Sequence, residues 1–264
     1  MQTPAFDLLG IRFHALSKRD LADRVSQAVD DRARQIIGNH NLHSLYMWFH
    51  EPRMREFYSL TDYTHIDGMS LVLLGRLLGL PLKREHRTGY MDLLPLLAER
   101  AAEREWRIFY LGSKPGVAEK AARMLRSRYP RLQIRTHHGH FNAEHSGPEN
   151  QEVLAEIKTY APDILMVGMG MPRQEVWVLE NQKDIAAHAV FCCGALMDYI
   201  AGEIPTPPRW IGHLGFEWLY RLLSEPGRLW QRYLLEPWSV MGRLTRMYLS
   251  RTHLRTHADT QARV

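Results

Sequence analysis

Short apolar runs alternate with longer segments of helical period along most of this chain, and this alternation limits the fold more than any other feature. It predicts an α/β, Rossmann-like fold in which helices cover both faces of a mostly parallel sheet. The six predicted strands are residues 35–38, 63–66, 107–112, 132–136, 163–168 and 189–194. Helices are predicted over 90–104 and 116–129, where apolar residues recur at helical spacing.

The size and cysteine content agree with an ordinary globular protein. A chain of 264 residues can form one large α/β domain or two small ones without disulfides. Cys192 and Cys193 are adjacent in an apolar run, so we interpret them as small strand residues in a reducing compartment. No secretory signal and no apolar stretch of about 18 residues stands out, and a cytoplasmic location is therefore expected.

The positive charge is concentrated in the last part of the chain. Residues 205–264 contain nine arginines, no lysine and four acidic residues, which equals the +5 formal charge of the whole chain. The proline-rich run IPTPPRW at 204–210 falls where the charge changes. We therefore predict a core of residues 1–204 and a basic helical appendage of residues 205–264.

The appendage also contains four of the seven tryptophans, Trp210, Trp218, Trp230 and Trp238. It is predicted to form two or three amphipathic helices, interrupted at residues 225–227 and 236–237. Three interpretations are open: a helical cap on the core, a cap that also docks on an anionic membrane surface, and a nucleic-acid contact. Aromatic rings interleaved with arginines favour the membrane, and no nucleic-acid partner is expected.

Three loops that follow predicted strands could hold a ligand at one edge of the sheet. In LGSKPG, Gly112 permits close approach and Lys114 adds charge at a helix start, which suits a diphosphate as well as a plain turn. In VGMGMPRQE, Gly170 relieves crowding; we favour a sugar or uracil contact for Gln174 and a structural role for Glu175. Asp198 follows the third strand in GALMDYIAG.

Polar residues also follow two earlier strands. Asn39 and Asn41 come after QIIG, where their amides could bind a ligand or only organise a turn. Asp67 precedes an apolar helix, so that on local sequence alone an N-cap is the routine explanation. The histidines lack a convincing metal-ligand spacing with partner carboxylates, and no metal site is predicted.

Several segments together resemble the WecG/TagA/CpsF-type bacterial glycosyltransferases. This family includes teichoic acid N-acetylmannosaminyltransferases and enterobacterial-antigen N-acetylmannosaminuronic acid transferases. The segments that carry the resemblance, in family order, are HIDGMSLV, IFYLGSKPGVAEKA, GHF, PDILMVGMGMPRQEVW, GALMDYIAG and GFEWLYRLLSEPGR. The resemblance implies an inverting, UDP-sugar-dependent enzyme with a Rossmann-like core and an undecaprenyl-diphosphate-linked sugar acceptor.

Residue roles follow from the resemblance position by position. Asp67 corresponds to the proposed catalytic base, Asn41 to the polar site beside it, and Gln174 to an active-site glutamine. Asn39 stands where the family often has threonine. The appendage arginines expected to reach the diphosphates are Arg221 and Arg228; the third has no clean match, since Gln231 stands at the expected spacing and Arg232 follows, and Arg87 aligns only roughly.

For inversion, Asp67 would take the proton of the attacking acceptor hydroxyl while cations stabilise the departing diphosphate. The chain contains no Asp-x-Asp sequence, the usual way to bring a divalent ion to a nucleotide sugar. We therefore predict turnover without metal or other cofactor. The appendage would bind lipid at the inner face of the cytoplasmic membrane and close over the site; whether the protein forms a homo-oligomer stays open.

The identity of the donor sugar is the most specific prediction. The TPPRW entry and the EPW after the arginine helix look closer to exopolysaccharide members, such as the xanthan-type β-1,4-glucosyltransferase. These features favour glucose transfer in exopolysaccharide biosynthesis over N-acetylmannosaminyl or N-acetylmannosaminuronosyl transfer. An alternative of another class is a non-catalytic module that only binds UDP-sugars.

Overall fold

The computed structural model describes residues 4–8, 10–206 and 217–261. Within these ranges six strands form one parallel sheet in the order β4-β3-β8-β7-β5-β6. Their bounds are β3 Gln35–His40, β4 Tyr63–Ile66, β5 Arg107–Gly112, β6 Gln133–His137, β7 Ile164–Gly168 and β8 Ala189–Cys192. The predicted fold class is confirmed.

Helices cover both faces of this sheet. Nine of those described before residue 206 are α1 Lys18–Asp30, α2 Leu42–His50, α3 Pro52–Leu60, α4 Met69–Leu77, α5 Tyr90–Arg104, α6 Val117–Arg128, α7 Pro148–Tyr160, α8 Arg173–Asn181 and α9 Leu196–Ile200. A short 3-10 turn, Arg84–His86, precedes α5. The bounds of α5 match the prediction.

The two faces carry separate hydrophobic clusters, because successive side chains of a strand point in opposite directions. In β5, Ile108 and Tyr110 join the cluster packed under α1, α5 and α6. Phe109 and Leu111 of the same strand join the cluster under α7 and α8. The loops that follow the strands therefore start from strands whose side chains are packed on both faces.

Two features at the amino-terminal end differ from the predicted elements. An antiparallel hairpin, β1 Ala5–Leu8 and β2 Ile11–His14, was not predicted, because its strands are too short to show a clear period. Strand β3 continues to His40, so that Asn39 lies inside the strand and not after it. The backbone of Asn39 is thereby held by strand pairing.

The carboxyl-terminal segment is helical and packs on the core. It contains α10 Glu217–Ser224, α11 Pro226–Trp230, a π-helical turn Gln231–Leu235 and α12 Glu236–Gln261. The predicted interruption at 225–227 is present, whereas at Glu236 the chain continues directly into α12. Val240 and Leu244 of α12 are buried in a third cluster shared with α2, α4 and the hairpin. Trp210 and the rest of the entry at 207–210 lie outside the described residues.

Candidate active site

The carboxyl ends of the parallel strands bring the predicted loops to one rim. Strand β3 leads to β4 at one edge of the sheet, whereas β5 leads to β6 at the other. Connections that diverge in this way are expected to leave a crevice between them, here above β8 and β7. Asp67 follows β4 and Gly170 follows β7, three strand spacings away, or about 14 Å across the sheet. A nucleotide sugar can extend along such a rim.

Asp67 is held at the rim by strand β3. Its backbone N–H donates to the carbonyl of His40 over 2.8 Å, and its Oδ2 accepts from Asn39 Nδ2 over 3.3 Å. The residue at the N-cap of α4 is Gly68, and no side chain caps this helix. The routine N-cap explanation for Asp67 is therefore not what the structure shows: its half-buried carboxylate faces Asn39.

The two predicted asparagines have different roles. Asn39 is only 4% exposed, and its Oδ1 is buried without a hydrogen-bond partner. A buried acceptor left unpaired is costly, so it is suited to receive a ligand hydroxyl or N–H. Asn41 instead caps α2 by accepting from the backbone N–H of Ser44 over 3.0 Å. The Oδ1 atom of Asn41 thus serves as a helix cap, and the ligand contact predicted for this residue stays a prediction.

Arg87 is brought beside Asp67 by backbone pairing. It forms a parallel bridge with Ile66, the last residue of β4. Its Nη2 and the Oδ1 of Asp67 both border Gly89, at 3.6 and 3.4 Å from the position of an added Cβ there. Nη1 of Arg87 also lies 3.6 Å from Asp92 Oδ2. The rough sequence alignment thus placed Arg87 at the same corner of the rim as Asp67.

Arginines of the carboxyl-terminal helices lie near the same corner. The guanidinium of Arg221 stacks over the ring of Tyr199 at 5.5 Å. Burial and the charge of Arg221 lower the pKa of Arg232, while the nearby carboxylates of Glu236 and Asp67 act in the opposite direction. Arg232 therefore has Arg221 and Asp67 as electrostatic neighbours, whereas Gln231 is exposed. Nothing is described of the Arg228 side chain.

Glu236 attaches these helices to the core, which the sequence did not indicate. Its Oε2 lies 2.6 Å from His43 Nδ1, and both side chains are mostly buried. Because Glu236 also attracts Arg232, it links the amino end of α2 to an arginine that interacts electrostatically with Asp67. Only the folded arrangement reveals this contact, since the two residues are 193 positions apart.

Gln174 is used internally in this structure. Its Oε1 accepts from the backbone N–H of Gly170 over 3.2 Å and of Gly194 over 3.0 Å. Its Nε2 donates to Glu175 Oε1 over 2.7 Å. The side chain is 1% exposed and joins the loops after β7 and β8. Its predicted contact to a sugar or uracil stays a prediction.

The turn after β5 is fixed by a residue that the sequence did not single out. Ser113 has a left-handed backbone, with φ of 61°, which is strained for a residue with a side chain. Its hydroxyl donates to Asp198 Oδ2 over 2.7 Å and lies 3.0 Å from Tyr110 OH. Asp198 thus holds the Lys114 loop, and the Lys114 side chain itself is exposed.

Gly112 serves close packing between strand ends. A Cβ at this position would collide with the carbonyl of Gly168 in the neighbouring strand. Gly170 differs, since its φ of 82° requires glycine while the space around it is open. The first glycine therefore shapes the floor of the crevice, and the second shapes its border.

Two further observations concern the described residues as a set. No three His, Cys, Asp or Glu side chains come together there as a metal site would require. None of the described helices is both long enough and apolar enough to cross a bilayer. Turnover without a metal ion stays a prediction.

Comparison with known proteins extends over nearly the whole chain. Residues 6–254 match the Glycosyl transferase WecG/TagA/CpsF family. The chain belongs to this family. The predicted resemblance is thereby confirmed, and the rim is the candidate active site of this family member.

Three curated relatives of this WecG/TagA/CpsF member have the same name. A protein of Staphylococcus aureus strain MW2 is 25% identical over 240 residues, which is 87% of each chain. The corresponding proteins of strains NCTC 8325 and MRSA252 are 25% and 24% identical over the same share. Each is named N-acetylglucosaminyldiphosphoundecaprenol N-acetyl-beta-D-mannosaminyltransferase.

This comparison corrects the predicted donor. Glucose transfer in exopolysaccharide biosynthesis is wrong, because the relatives are named for N-acetylmannosaminyl transfer. Of the two features that favoured glucose, residues 207–210 lie outside the described residues, and Trp238 of the EPW sequence is 77% exposed. The alternative given with the glucose prediction agrees better with the relatives.

We expect Glu175 to make the stability of this family member depend on pH. Burial raises the pKa of its carboxyl from 4.5 to about 7, although Gln174 opposes the shift by hydrogen bonding. A carboxyl whose pKa is higher in the folded than in the unfolded protein stabilises the folded protein fully at pH values below its unfolded-state pKa. This stabilisation is lost as the pH rises through its folded-state pKa. Between those limits the wild type should lose up to about 3 kcal/mol relative to Glu175→Gln.

Urea unfolding at about pH 5 and about pH 8 measures this difference. The exposed Glu152 of α7 provides the control, since Glu152→Gln should give the same difference from wild type at both pH values. If the stability difference between Glu175→Gln and the wild type were also the same at both pH values, the prediction of a neutral, buried Glu175 carboxyl would be contradicted.

Proposed function

We propose that this chain is an inverting glycosyltransferase that moves N-acetylmannosamine from a UDP-activated donor to N-acetylglucosaminyl diphosphoundecaprenol. The observation that carries the proposal is the setting of Asp67: a carboxylate at the rim, bonded to Asn39, beside Arg87 and electrostatically coupled to Arg232. The names of the relatives supply the sugar and the acceptor.

In the proposed reaction, a hydroxyl of the acceptor attacks the anomeric carbon on the side opposite UDP. The new bond joins that carbon to the acceptor oxygen, and the bond to the diphosphate oxygen breaks with its electron pair leaving on UDP. Asp67 takes the hydroxyl proton as general base. The unpaired Oδ1 of Asn39 is available to accept from a sugar hydroxyl or N–H.

Negative charge grows on the diphosphate as it leaves, and fixed cations stabilise it most effectively when they are already in place. Arg221 and Arg232 are the proposed cations. Two guanidinium groups that lie near each other repel, and an anion that binds between them relieves this repulsion. Lys114 and the amino end of α6 add positive potential at the nucleotide side.

Gln174 and Asp198 act as positioning residues in this proposal. Gln174 fixes the turns at Gly170 and Gly194, and Asp198 fixes Ser113. Both thereby hold the backbone N–H groups along which a nucleotide would lie. In this proposal the two residues hold the loops in position and do not contact the sugar directly.

The appendage is proposed to dock at the inner face of the cytoplasmic membrane. Trp218, Trp230 and Trp238 are 41%, 44% and 77% exposed, an unusual exposure for so large an apolar side chain. Arginines on the same helices would meet anionic headgroups. Docking would bring the lipid-linked acceptor to Asp67 and Arg232.

The experiment that tests the proposed function is a transfer assay with purified protein and N-acetylglucosaminyl diphosphoundecaprenol in detergent. We expect product with UDP-N-acetylmannosamine and at least 100-fold less with UDP-glucose, because pocket contacts built for an acetamido group are left unpaired by glucose. UDP-N-acetylmannosaminuronic acid is the second donor tested. Product only with that donor, or with glucose, would contradict the proposal.

The same assay tests the expected independence from metal ions. Since the charge on the diphosphate is assigned to arginines, an excess of EDTA should leave the rate within about twofold of the untreated enzyme. A loss of activity that added Mg²⁺ or Mn²⁺ restores would contradict that assignment.

A further inference from the structure

The core has an exposed apolar helix face of its own, separate from the appendage. Helix α4 exposes Leu73, Leu77 and, at its C-cap, Leu78 by 57%, 81% and 41%. We call these three residues the α4 leucine face. Its opposite side is packed: Leu71 and Val72 are 7% and 1% exposed in the cluster shared with α2 and α12. The helix is therefore apolar on both sides, although one side faces solvent in the described structure.

An apolar helix face that is left exposed usually marks an interaction surface. Single exposed leucines are common, but Leu73 and Leu77, at i and i+4, form an apolar strip on one face of the helix, and Leu78 follows it at the C-cap. The strip borders the same cluster that receives Val240 and Leu244 of α12. The α4 leucine face and the appendage are thus attached to one part of the core.

The charges around this face favour an anionic partner. Arg76 lies on the helix itself and is exposed. Lys83 and Arg84 follow in the segment that leads into the 3-10 turn packed against α4, and both are exposed. Between residues 69 and 87 there are four Lys or Arg and one Glu. An apolar strip flanked by basic residues is the composition of a helix that lies in a lipid interface.

The position of α4 relative to Asp67 favours a lipid surface over other partners. The helix begins two residues after Asp67, so Leu73 and Leu77 lie only about 6 and 12 Å along the axis from its first residue. In the proposed function the acceptor sugar is joined to its lipid by a diphosphate alone. The bilayer must therefore come close to Asp67, on the side where α4 starts.

We propose that the α4 leucine face inserts into the headgroup region of an anionic bilayer, as a membrane contact of the core that is separate from the appendage. This inference rests on the proposed function for the side of approach, but the contact itself is a lipid-binding property. The two basic residues after α4 add attraction to the anionic surface.

The test is co-sedimentation of the full chain with vesicles of phosphatidylethanolamine and phosphatidylglycerol, and with vesicles of phosphatidylcholine alone. Leu73→Ser combined with Leu77→Ser should lower the partition coefficient on anionic vesicles about tenfold. Met124→Ser is the matched control, since Met124 is 50% exposed on α6, which packs beside β6 at the other edge of the sheet, and it should bind as wild type does. Trp238→Ser reports the contribution of the appendage separately.

Wild-type partitioning of the double variant would overturn the inference. The inference would also be overturned if light scattering showed that the double variant loses an oligomer formed by the wild type while vesicle binding is unchanged. The face would then join two copies of the chain. Transfer to a water-soluble N-acetylglucosaminyl diphosphate with a short alkyl chain should be unchanged in the double variant. If the wild type itself fails to use that acceptor, the proposed function is in question while the vesicle result still decides the membrane contact.

Discussion

Asp67→Asn should lower kcat by about 10²- to 10⁴-fold, since loss of a general base removes a contribution of that order. An asparagine amide has nearly the shape of the carboxylate, so the backbone bond from Asp67 N to His40 and the packing of β4 should be retained. Binding of UDP should therefore change little, because the nucleotide is assigned to the loops after β5, β7 and β8. The measurements are single-turnover transfer and calorimetric UDP binding.

Asp62→Asn is the matched control for this variant. Asp62 precedes β4 at the opposite end of the strand, where its carboxylate accepts from the backbone N–H of Ile36 over 2.8 Å. Its substitution alters a carboxylate of the same β3–β4 pair far from the rim, and transfer should stay within about threefold of wild type. If Asp67→Asn retained full turnover, Asp67 would not be the base.

Arg232→Ala should lower kcat/KM by about 10²- to 10³-fold, as expected when a fixed charge that stabilises a developing anion is removed. Arg232→Lys keeps the charge but not the planar fork, and we expect an intermediate loss. Because the departing diphosphate carries more charge in the transition state than in the bound donor, most of the effect should appear in kcat. Rates for both variants are to be measured over a series of donor concentrations.

Arg243→Ala is the control for Arg232. Arg243 lies on α12 with its guanidinium 5.6 Å from the ring of Phe49, and it contacts His50 at the far end of α2. It has the same charge and belongs to the same appendage, yet it is not among the electrostatic neighbours of Arg232. Equal losses for Arg232→Ala and Arg243→Ala would mean that the appendage contributes general charge and no positioned guanidinium.

The sheet could be predicted from sequence because β5, β7 and β8 are short apolar runs between helical segments. This pattern reflects burial on both faces of the sheet. The edge strand β6 is less apolar, and its Gln133 and Arg135 are exposed. The hairpin at residues 5–14 escaped prediction because its short strands lack a clear period. Strand β3 was predicted two residues short, since Asn39 and His40 are polar although the sheet buries both.

The position of the candidate site at one rim was predictable, but several side-chain contacts within it were not. The rim follows from the rule that parallel strands end at one edge, and it placed Asp67, Gly170 and Asp198 correctly along that edge. Whether Asn41 caps a helix, or Gln174 joins two turns, depends on which backbone groups come within hydrogen-bond distance. The pairs Ser113–Asp198 and His43–Glu236 are far apart in sequence, and no local pattern signals them.

The central claim is that a donor sugar bound along this rim presents its anomeric carbon to Asp67. The most direct measurement is a crystal structure of the protein with a non-transferable UDP-sugar analogue. The account predicts UDP over the loops after β5 and β7, a guanidinium of Arg221 or Arg232 on the diphosphate, and the anomeric carbon within about 7 Å of the Asp67 carboxylate, which leaves room for one acceptor hydroxyl. A sugar directed away from Asp67 towards β6, with another acidic side chain facing its anomeric carbon, would contradict it.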